Sequence, residues 1–162
     1  MRRVLLDTNV YGFIIKTSET HVLFEKVKSN GIIICGSSII RQELRDIPKN
    51  LLHNNAKVRK LCLELYDGFV DEKRNYAVTE IVRAIALEYN QFYKGGYSWG
   101  ELENDFLIVA SSSLHNIDIV VSNDERTMTS LQSMDAYRLV NEKFQLRPPR
   151  FMKHGAFLGL LK

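Results

Sequence analysis

Short apolar runs that stop at polar residues or glycine alternate along this chain with longer segments of helical periodicity. Residues 3–6, 31–36 and 117–121 form three such runs, and their length and composition are typical of buried strands. A weaker run at residues 136–140 predicts one more strand. Strands that alternate with helices usually form a parallel sheet covered on both faces. We therefore expect a three-layer α/β/α fold with a mainly parallel sheet of about five strands.

The segments between these runs repeat apolar residues at the spacing of an α-helix. Two of them predict a helical hairpin across Gly68, with inward faces formed by Val58, Leu61, Cys62 and Leu65 and by Val78, Ile81, Val82, Ile85 and Tyr89. Further helices are expected at about 18–29, 37–46, 101–115 and 125–133. Ser37 or Ser38 is suited to cap the second of these helices.

The composition is that of an ordinary globular protein and excludes several classes. A chain of 162 residues with 45% hydrophobic and 25% charged residues can bury a core and is not disordered. It contains no apolar run of membrane-spanning length, and Asp7 comes too early for a signal peptide, so we expect a soluble cytoplasmic protein. Cys35 and Cys62 lie in apolar segments and are expected to be buried thiols.

Four acidic residues occupy positions where the pattern predicts burial or the end of a strand. Asp7 and Asp124 directly follow predicted strands, which places them near the carboxyl edge of a parallel sheet. Glu43 lies on the inward face of the helix at 37–46, and Asp105 lies near the start of a helix that is apolar nearly all round. Singly, each has an ordinary explanation as a helix cap, a first-turn acid or half of an ion pair.

Together, these four carboxylates predict a site for a divalent cation. Carboxylates in a partly desolvated site repel one another and take up protons unless a cation keeps them ionised. The histidines have no paired ligand spacing, so Mg²⁺ or Mn²⁺ is expected rather than zinc. Such an ion supports phosphodiester hydrolysis. Asn9 and Ser122 are candidates to orient its ligands or a water molecule, or else are turn residues.

The fragments that carry these acids resemble, in order, the PIN domain over roughly residues 3–140. They are LLDTNV at 5–10, IRQEL at 40–44, DFLIVA at 105–110 and VVSND at 120–124. The resemblance implies a sheet flanked by helices and a metal site of Asp7, Glu43, Asp105 and Asp124, supported by Asn9 and Ser122. It also implies Mg²⁺- or Mn²⁺-dependent ribonuclease activity. Members include RNA-processing nucleases and VapC-type toxins, which are typically homodimers neutralised by a small antitoxin.

This resemblance implies RNA as the substrate, a second copy of the chain as a partner and, for a toxin, a small antitoxin protein. We expect a PIN-like nuclease domain at residues 1–145 and a C-terminal arm at 146–162. The arm mixes basic and apolar side chains, so it either wraps a partner subunit, binds RNA or packs on its own domain. Residues 53–100 form a longer segment than the compact toxin pattern has.

The loop before the Asp105 helix combines aromatic residues, paired glycines and a lysine. Trp99 and Lys94 are therefore candidates to contact RNA, since aromatic faces stack on unpaired bases. The ordinary alternative is a connection whose aromatic residues fill the edge of the core.

Two functions other than RNA hydrolysis remain open from the sequence. The Asp7-x-Asn9 string resembles the Asp-x-Asp signature of haloacid-dehalogenase-like phosphatases, which use an aspartyl nucleophile, although Asn9 replaces the second acid. The other alternative is an RNA-binding module that kept the fold without turnover.

Overall fold

The computed structural model describes residues 1–17 and 20–161, whose strands and helices follow one another in α/β order. The strands are β1 (Arg2–Leu6), β2 (Ile32–Ser37), β3 (Leu52–His53), β4 (Ala56–Lys57), β5 (Asn75–Tyr76), β6 (Ile119–Val121) and β7 (Arg150–Met152). The helices are α1 (Thr8–Thr17), α2 (Thr20–Ser29), α3 (Ser38–Asp46), α4 (Val58–Phe69), α5 (Glu80–Phe92), α6 (Trp99–Leu114), α7 (Leu131–Lys143) and α8 (His154–Leu160).

Five of the strands form one parallel sheet in the order β5-β2-β1-β6-β7. The strand β1 lies at its centre, where Leu5 is in register with Cys35 of β2 and with Val120 of β6. All three of these side chains are almost fully buried, as expected for a central strand covered on both faces. The sheet and its flanking helices confirm the predicted α/β class, and β3 and β4 form a separate antiparallel hairpin.

Three of the four predicted strands are confirmed as β1, β2 and β6, and the one at residues 136–140 is wrong. That segment lies within α7, where Ser133, Ala136, Tyr137 and Val140 are buried at spacings of three and four residues. The apolar run is therefore one face of a helix, because short apolar runs fit either period. The fifth strand of the sheet is instead β7, which comes from the C-terminal arm.

The predicted helices at 37–46 and 101–115 are confirmed as α3 and α6, and the one at 18–29 as α2 from Thr20 onward. The predicted start at residue 18 lies outside the described residues. The helix expected at 125–133 is wrong: a series of turns occupies residues 125–129, and α7 begins only at Leu131, where Ser130 provides its N-cap. The Asp124 side chain organises these turns by accepting main-chain N–H groups.

The predicted helical hairpin across Gly68 is also wrong. Both helices exist as α4 and α5, but Gly68 lies inside α4, and Asn75–Tyr76 pairs with β2 as strand β5 between them. A polar two-residue strand has too little pattern to be recognised in sequence. On α5, Ile81 is 61% exposed rather than inward, because the buried face is formed by Val82, Ile85, Ala86 and Tyr89.

The C-terminal arm packs on its own domain. Its strand β7 pairs in parallel with β6, and Phe157 of α8 is fully buried in the core. This arrangement is the packed alternative considered for the arm. Cys35 and Cys62 are free and buried, as expected. Within the described ranges, no helix is long and apolar enough to cross a membrane.

Candidate functional site

Two neighbouring parallel strands bring Asp7 close to the segment that contains Asp124. Because β1 and β6 run side by side in the same direction, their carboxyl ends meet at one edge of the sheet. The Asp7 main-chain N–H donates to the Val121 carbonyl at 2.9 Å. The Ser122 hydroxyl donates to Asp7 Oδ2 at 2.7 Å and accepts the Asp124 N–H at 3.0 Å. The strand register thus links the two acidic segments through one serine.

The position of Glu43 depends on how β2 passes into α3. Ser37 ends the strand and caps the helix, with its Oγ accepting the Ile39 N–H at 3.3 Å. Ile40 and Leu44 are fully buried, and Glu43 lies beside them on the same side of α3. A glutamate there faces the sheet edge, where the Thr8 hydroxyl donates to Glu43 Oε2.

Helix α6 brings Asp105 to the same edge. The helix starts with a capping box in which Ser98 and Glu101 bond reciprocally, which fixes its first turn. Asn104, one residue before Asp105, donates to Glu43 Oε1 at 2.9 Å and so connects α6 to α3. Leu102 and Phe106 are fully buried on either side of Asp105 in the sequence.

The four acids line one open cleft of about 490 Å³ at the carboxyl edge of the sheet. Asp46 and Ile47, at the end of α3, form part of its wall. The complete lining is Asp7, Thr8, Asn9, Glu43, Asp46, Ile47, Asp105 and Asp124. Five of these eight side chains are carboxylates, so the cleft attracts cations.

Burial and mutual repulsion hold two of the acids partly protonated near neutral pH. Burial raises the pKa of Asp7 to about 6, against hydrogen bonds from Ser122 and Thr8 that lower it, while the charges of Glu43 and Asp124 add to the rise. Burial also raises the pKa of Asp105 to about 7, and the other three carboxylates contribute to that rise. A bound cation would remove this penalty by favouring the charged forms.

Asp124 behaves differently because hydrogen bonds stabilise its charge. Partial burial disfavours the ionised form, but bonds from Thr127 and Arg126 outweigh it and lower the pKa of Asp124. Its Oδ1 accepts the Arg126 and Thr127 N–H groups at 2.8 and 2.9 Å, and its Oδ2 accepts the Thr127 hydroxyl at 2.8 Å. The capping role considered for Asp124 is therefore present alongside its place in the cleft.

The donor set suits a hard divalent cation that keeps part of its water shell. All four acids offer carboxylate oxygens, and Asp7 and Asp105 carry the raised pKa values expected where positive charge is needed. Among the described residues, no three His, Cys, Asp or Glu side chains are grouped so that they could hold one ion. Mg²⁺ is commonly bound by only one or two carboxylates and several waters, which fits this spacing.

Both candidate supporting residues contact Asp7. Asn9 Nδ2 donates to Asp7 Oδ2 at 2.6 Å, and Asn9 Oδ1 accepts the Asn123 N–H at 3.2 Å. Ser122 donates to the same Asp7 oxygen. Asn9 and Ser122 therefore fix the orientation of the Asp7 carboxylate and also join β1 to the loop after β6.

The two candidate RNA contacts lie in different environments. Trp99 is half-buried at the start of α6, and its ring packs 6.4 Å from that of Phe106 in the core. Lys94 is exposed in the preceding loop. Tyr97, from the same loop, contacts Arg126 two residues beyond Asp124, with the guanidinium 5.8 Å from the ring centre. This aromatic loop therefore reaches the segment that holds Asp124.

Sequence reasoning missed Thr8, Asn104 and Thr127, which bond directly to the acids. Thr127 follows Asp124 at the three-residue spacing of a capping turn, which could have identified it. Asn104 precedes Asp105 and Thr8 follows Asp7, but neither position predicts a bond to Glu43, which lies on a different helix. Such contacts depend on the packing of α3 against α6 and α1.

Comparison with known proteins matches the sequence of the chain to one family. The family model described as the PIN domain matches residues 4–132, which is most of the chain. No curated protein matches the chain.

Several solved structures share the fold. VapBC2 from Rickettsia felis, solved bound to a DNA fragment from its promoter, has a TM-score of 0.52 at 16% identity and covers 93% of this chain and 98% of its own. FitAB bound to the IR36 DNA fragment has a TM-score of 0.56 at 19% identity and covers 93% and 94%. FitAcB from Neisseria gonorrhoeae has a TM-score of 0.52 at 18% identity and covers 92% and 96%. At these identities the likeness concerns the fold alone.

Proposed function

The chain belongs to the PIN domain family, and on this basis we propose that it is a Mg²⁺- or Mn²⁺-dependent endoribonuclease that hydrolyses RNA phosphodiester bonds in the acidic cleft. The observation that carries the proposal is the lining of one cleft by Asp7, Glu43, Asp105 and Asp124. Two of these acids have raised pKa values, so the site is incomplete without positive charge. The phosphatase and silent-module alternatives have no comparable support.

Asp7, Glu43, Asp105 and Asp124 would hold the cation, one or two of them directly and the others through its bound waters. When bound, a divalent ion supplies an activated water and polarises the phosphoryl oxygen under attack. Hydrogen bonds from neighbouring residues of the chain would orient the carboxylates and influence their ionisation. Ser122 and Asn9 orient Asp7, while Thr8 and Asn104 hold Glu43 by its two oxygens.

The charge state of the acids differs in a way that suits hydrolysis. Arg126 and Thr127 keep Asp124 ionised, whereas Asp7 and Asp105 gain and lose protons near neutral pH. A cation would displace those protons, so activity should rise as pH increases through the range near 6 to 7. The cleft is open rather than enclosed, which is compatible with a long substrate.

We further propose that the protein is the toxin of a VapBC-type pair, acting as a homodimer and neutralised by a small antitoxin protein. The structural neighbours that support this role are the VapBC2 and FitAB assemblies, which this chain matches over nearly their whole length. Co-purification with the product of an adjacent small reading frame, and mass measurement of the purified chain, would test the partner and the dimer separately.

The experiment that tests the nuclease is cleavage of a mixed pool of structured and single-stranded RNA with Mg²⁺ or Mn²⁺. Wild type should cut, EDTA should stop it, and Asp7→Asn and Asp105→Asn should each lower the rate at least about 100-fold, because each removes a charge from the metal site. Asp135→Asn, which neutralises an exposed acid of α7 outside the cleft, is the matched control and should cut normally.

Failure of every folded, metal-loaded sample to cut RNA would contradict the proposal. Cutting that survives both Asp7→Asn and Asp105→Asn would show that the cleft is not the catalytic centre. A phosphoenzyme trapped on Asp7 would instead favour the aspartyl-nucleophile phosphatase.

A further inference from the structure

A concave surface lined mainly by basic residues lies beside the β3–β4 hairpin and the start of helix α4. This basic pocket has a volume of about 340 Å³ and is lined by Lys49, Lys57, Arg59, Lys60, Leu63, Glu64 and Asp67. Four of its seven lining residues are cations, whereas the cleft is lined mainly by carboxylates. The two surfaces therefore attract ligands of opposite charge.

Both acids of the basic pocket have cationic partners. Arg41, on α3, holds Asp67 through two hydrogen bonds of 3.0 Å. Glu64 lies 3.7 Å from Lys60, one turn away on α4. Within residues 1–17 and 20–161, no ion pair is formed by Lys49, Lys57 or Arg59. The pocket therefore presents three positive charges that the described fold does not neutralise.

The dipole of helix α4 disfavours the cations at this end of the helix. Arg59 and Lys60 occupy the first turn of the helix, where the positive end of the helix dipole disfavours cations. Lys57 occupies the N-cap position and makes no side-chain capping bond there. The residues usually preferred at these positions are acids and short polar side chains. A ligand with negative charge would turn this unfavourable arrangement into a favourable one.

The backbone that carries these cations is held in place by local hydrogen bonds. Asn54 and Asn55 both have positive φ, at 49° and 62°, as the tight turn of a two-residue β-hairpin requires. The Leu51 N–H donates to the Pro48 carbonyl at 3.1 Å, and the Val58 N–H donates to the Leu51 carbonyl at 3.0 Å. The backbone positions of Lys49 and Lys57 are thus set before any ligand arrives, which lowers the entropic cost of binding.

The basic pocket and the acidic cleft are continuous along the chain. Ile47 lines the cleft and Lys49 lines the pocket, so their Cα atoms are at most about 7 Å apart. Helix α3 lies between the two, since Glu43 faces the cleft while Arg41, two residues earlier on the other side of the helix, holds Asp67 of the pocket. A polyanion that occupies both surfaces would therefore pass the end of α3, where residues 46–49 lead from the cleft to the pocket.

From this charge pattern we propose that Lys49, Lys57 and Arg59 bind the phosphate backbone of single-stranded RNA and guide it into the acidic cleft. The inference rests on the proposed function for the identity of the polymer. Contacts to phosphates carry no base information, so the pocket contributes affinity and register rather than sequence preference. Each neutralised phosphate releases counterions, which makes the contribution dependent on salt.

The test is binding of a fluorescently labelled 20-nucleotide single-stranded RNA in EDTA, followed by anisotropy over a range of salt concentrations. In the triple variant Lys49→Gln, Lys57→Gln and Arg59→Gln, the Kd for RNA should rise at least about tenfold. The slope of log affinity against log salt concentration should become shallower by about 2, because each of the three lost phosphate contacts contributes about 0.7. The affinity of the same triple variant for single-stranded DNA of equal length should fall by a similar factor.

A matched triple variant controls for net charge. Arg83→Gln, Arg138→Gln and Lys143→Gln remove the same three charges from α5 and α7, outside the pocket, and should change Kd less than about threefold. Thermal unfolding of both triple variants checks that they fold. An equal loss of RNA affinity in the two variants would overturn the proposal, because it would show that binding depends on the net charge of the protein and not on the pocket.

Unchanged RNA binding by the pocket variant, or no RNA binding by wild type, would also overturn the proposal. So would displacement of the labelled RNA by poly-glutamate as effectively as by unlabelled RNA at the same concentration of negative charge. The last would favour an acidic protein partner. Binding does not need metal or turnover, so it separates this inference from the nuclease. If the pocket variant alone loses binding and no sample cuts RNA, the inference stands and the nuclease proposal fails.

Discussion

Ser122 donates its hydroxyl hydrogen to Asp7 Oδ2 at 2.7 Å, which joins two residues 115 positions apart in the sequence. The same oxygen atom of Ser122 accepts the Asp124 N–H at 3.0 Å. One serine thus orients one acid of the cleft and the main chain of another. This arrangement exists because β1 and β6 are neighbours in the sheet.

Replacing Ser122 by alanine should make Asp7 harder to ionise. The hydrogen bond from Ser122 lowers the pKa of Asp7, which burial has raised to about 6, so its loss should raise that pKa by roughly one unit. The acidic limb of the pH–rate profile for metal-dependent RNA cleavage should move up by about the same amount. Ser112→Ala removes a buried serine that bonds within α6 and should leave the limb in place. An unmoved limb in Ser122→Ala would show that this bond does not control Asp7.

Replacing Asp105 by asparagine should stabilise the metal-free protein at alkaline pH. The folded-state pKa of about 7 lies above the ordinary aspartate value of 3.8, so between these two pH values the folded chain holds a proton that the unfolded chain has lost. The stabilisation that the protonated Asp105 carboxyl contributes is complete below its pKa in the unfolded chain and is lost as pH rises through its pKa in the folded chain. The gain of Asp105→Asn in free energy of unfolding should be about 2–3 kcal/mol larger at pH 8 than at pH 5.

Asp7→Asn provides a graded comparison for the same measurement. Its folded-state pKa is about 6, so the corresponding difference between pH 8 and pH 5 should be only about 1 kcal/mol. Urea unfolding in EDTA at both pH values gives the two numbers. A gain for Asp105→Asn that is the same at both pH values would contradict the assignment of a raised pKa.

Replacing Gly36 by alanine should destabilise the fold by about 1–3 kcal/mol. A Cβ at this position would meet the Tyr66 ring and hydroxyl and would lie 2.7 Å from Val70 Cγ1. Tyr66 cannot easily retreat, because its hydroxyl bonds the Ser37 carbonyl and Asn75 Oδ1 at 3.1 and 2.7 Å. Gly12→Ala is the control, since a Cβ there meets nothing within 4 Å on helix α1. Urea unfolding should show Gly12→Ala unchanged or slightly more stable.

Ending the chain at residue 145 should lower Tm by roughly 10 °C or more, since the loss of β7 and α8 removes several kcal/mol. Without β7, the strand β6 becomes an exposed edge, and the fully buried Phe157 is lost from the core. Two point variants separate these causes: Phe157→Ala should cost about 3–4 kcal/mol, and Leu158→Ala, at a 36% exposed position, much less. Thermal unfolding of the short chain at the full-length Tm would instead support a domain complete at residue 145.

Much of the architecture could be predicted because strand runs and helical periods are local properties of a sequence. The strands β1, β2 and β6 are recognisable from short runs with three or four apolar residues each, and Ser37 from its place before a helix. Residues 136–140 were assigned to a strand because a short apolar run does not reveal its period. Only burial of Ser133, Ala136, Tyr137 and Val140 on one side identifies the helix.

The sequence by itself determined that Asp7 and Asp124 follow strands and that Glu43 lies on the inward side of a helix, because burial and alternation act within a few residues. Only the tertiary structure decided the partners of these acids. The contacts of Thr8 and Asn104 with Glu43, and of β7 with β6, join segments that are distant in sequence. Such contacts depend on strand order and helix packing, which are set by the whole core rather than by any local pattern.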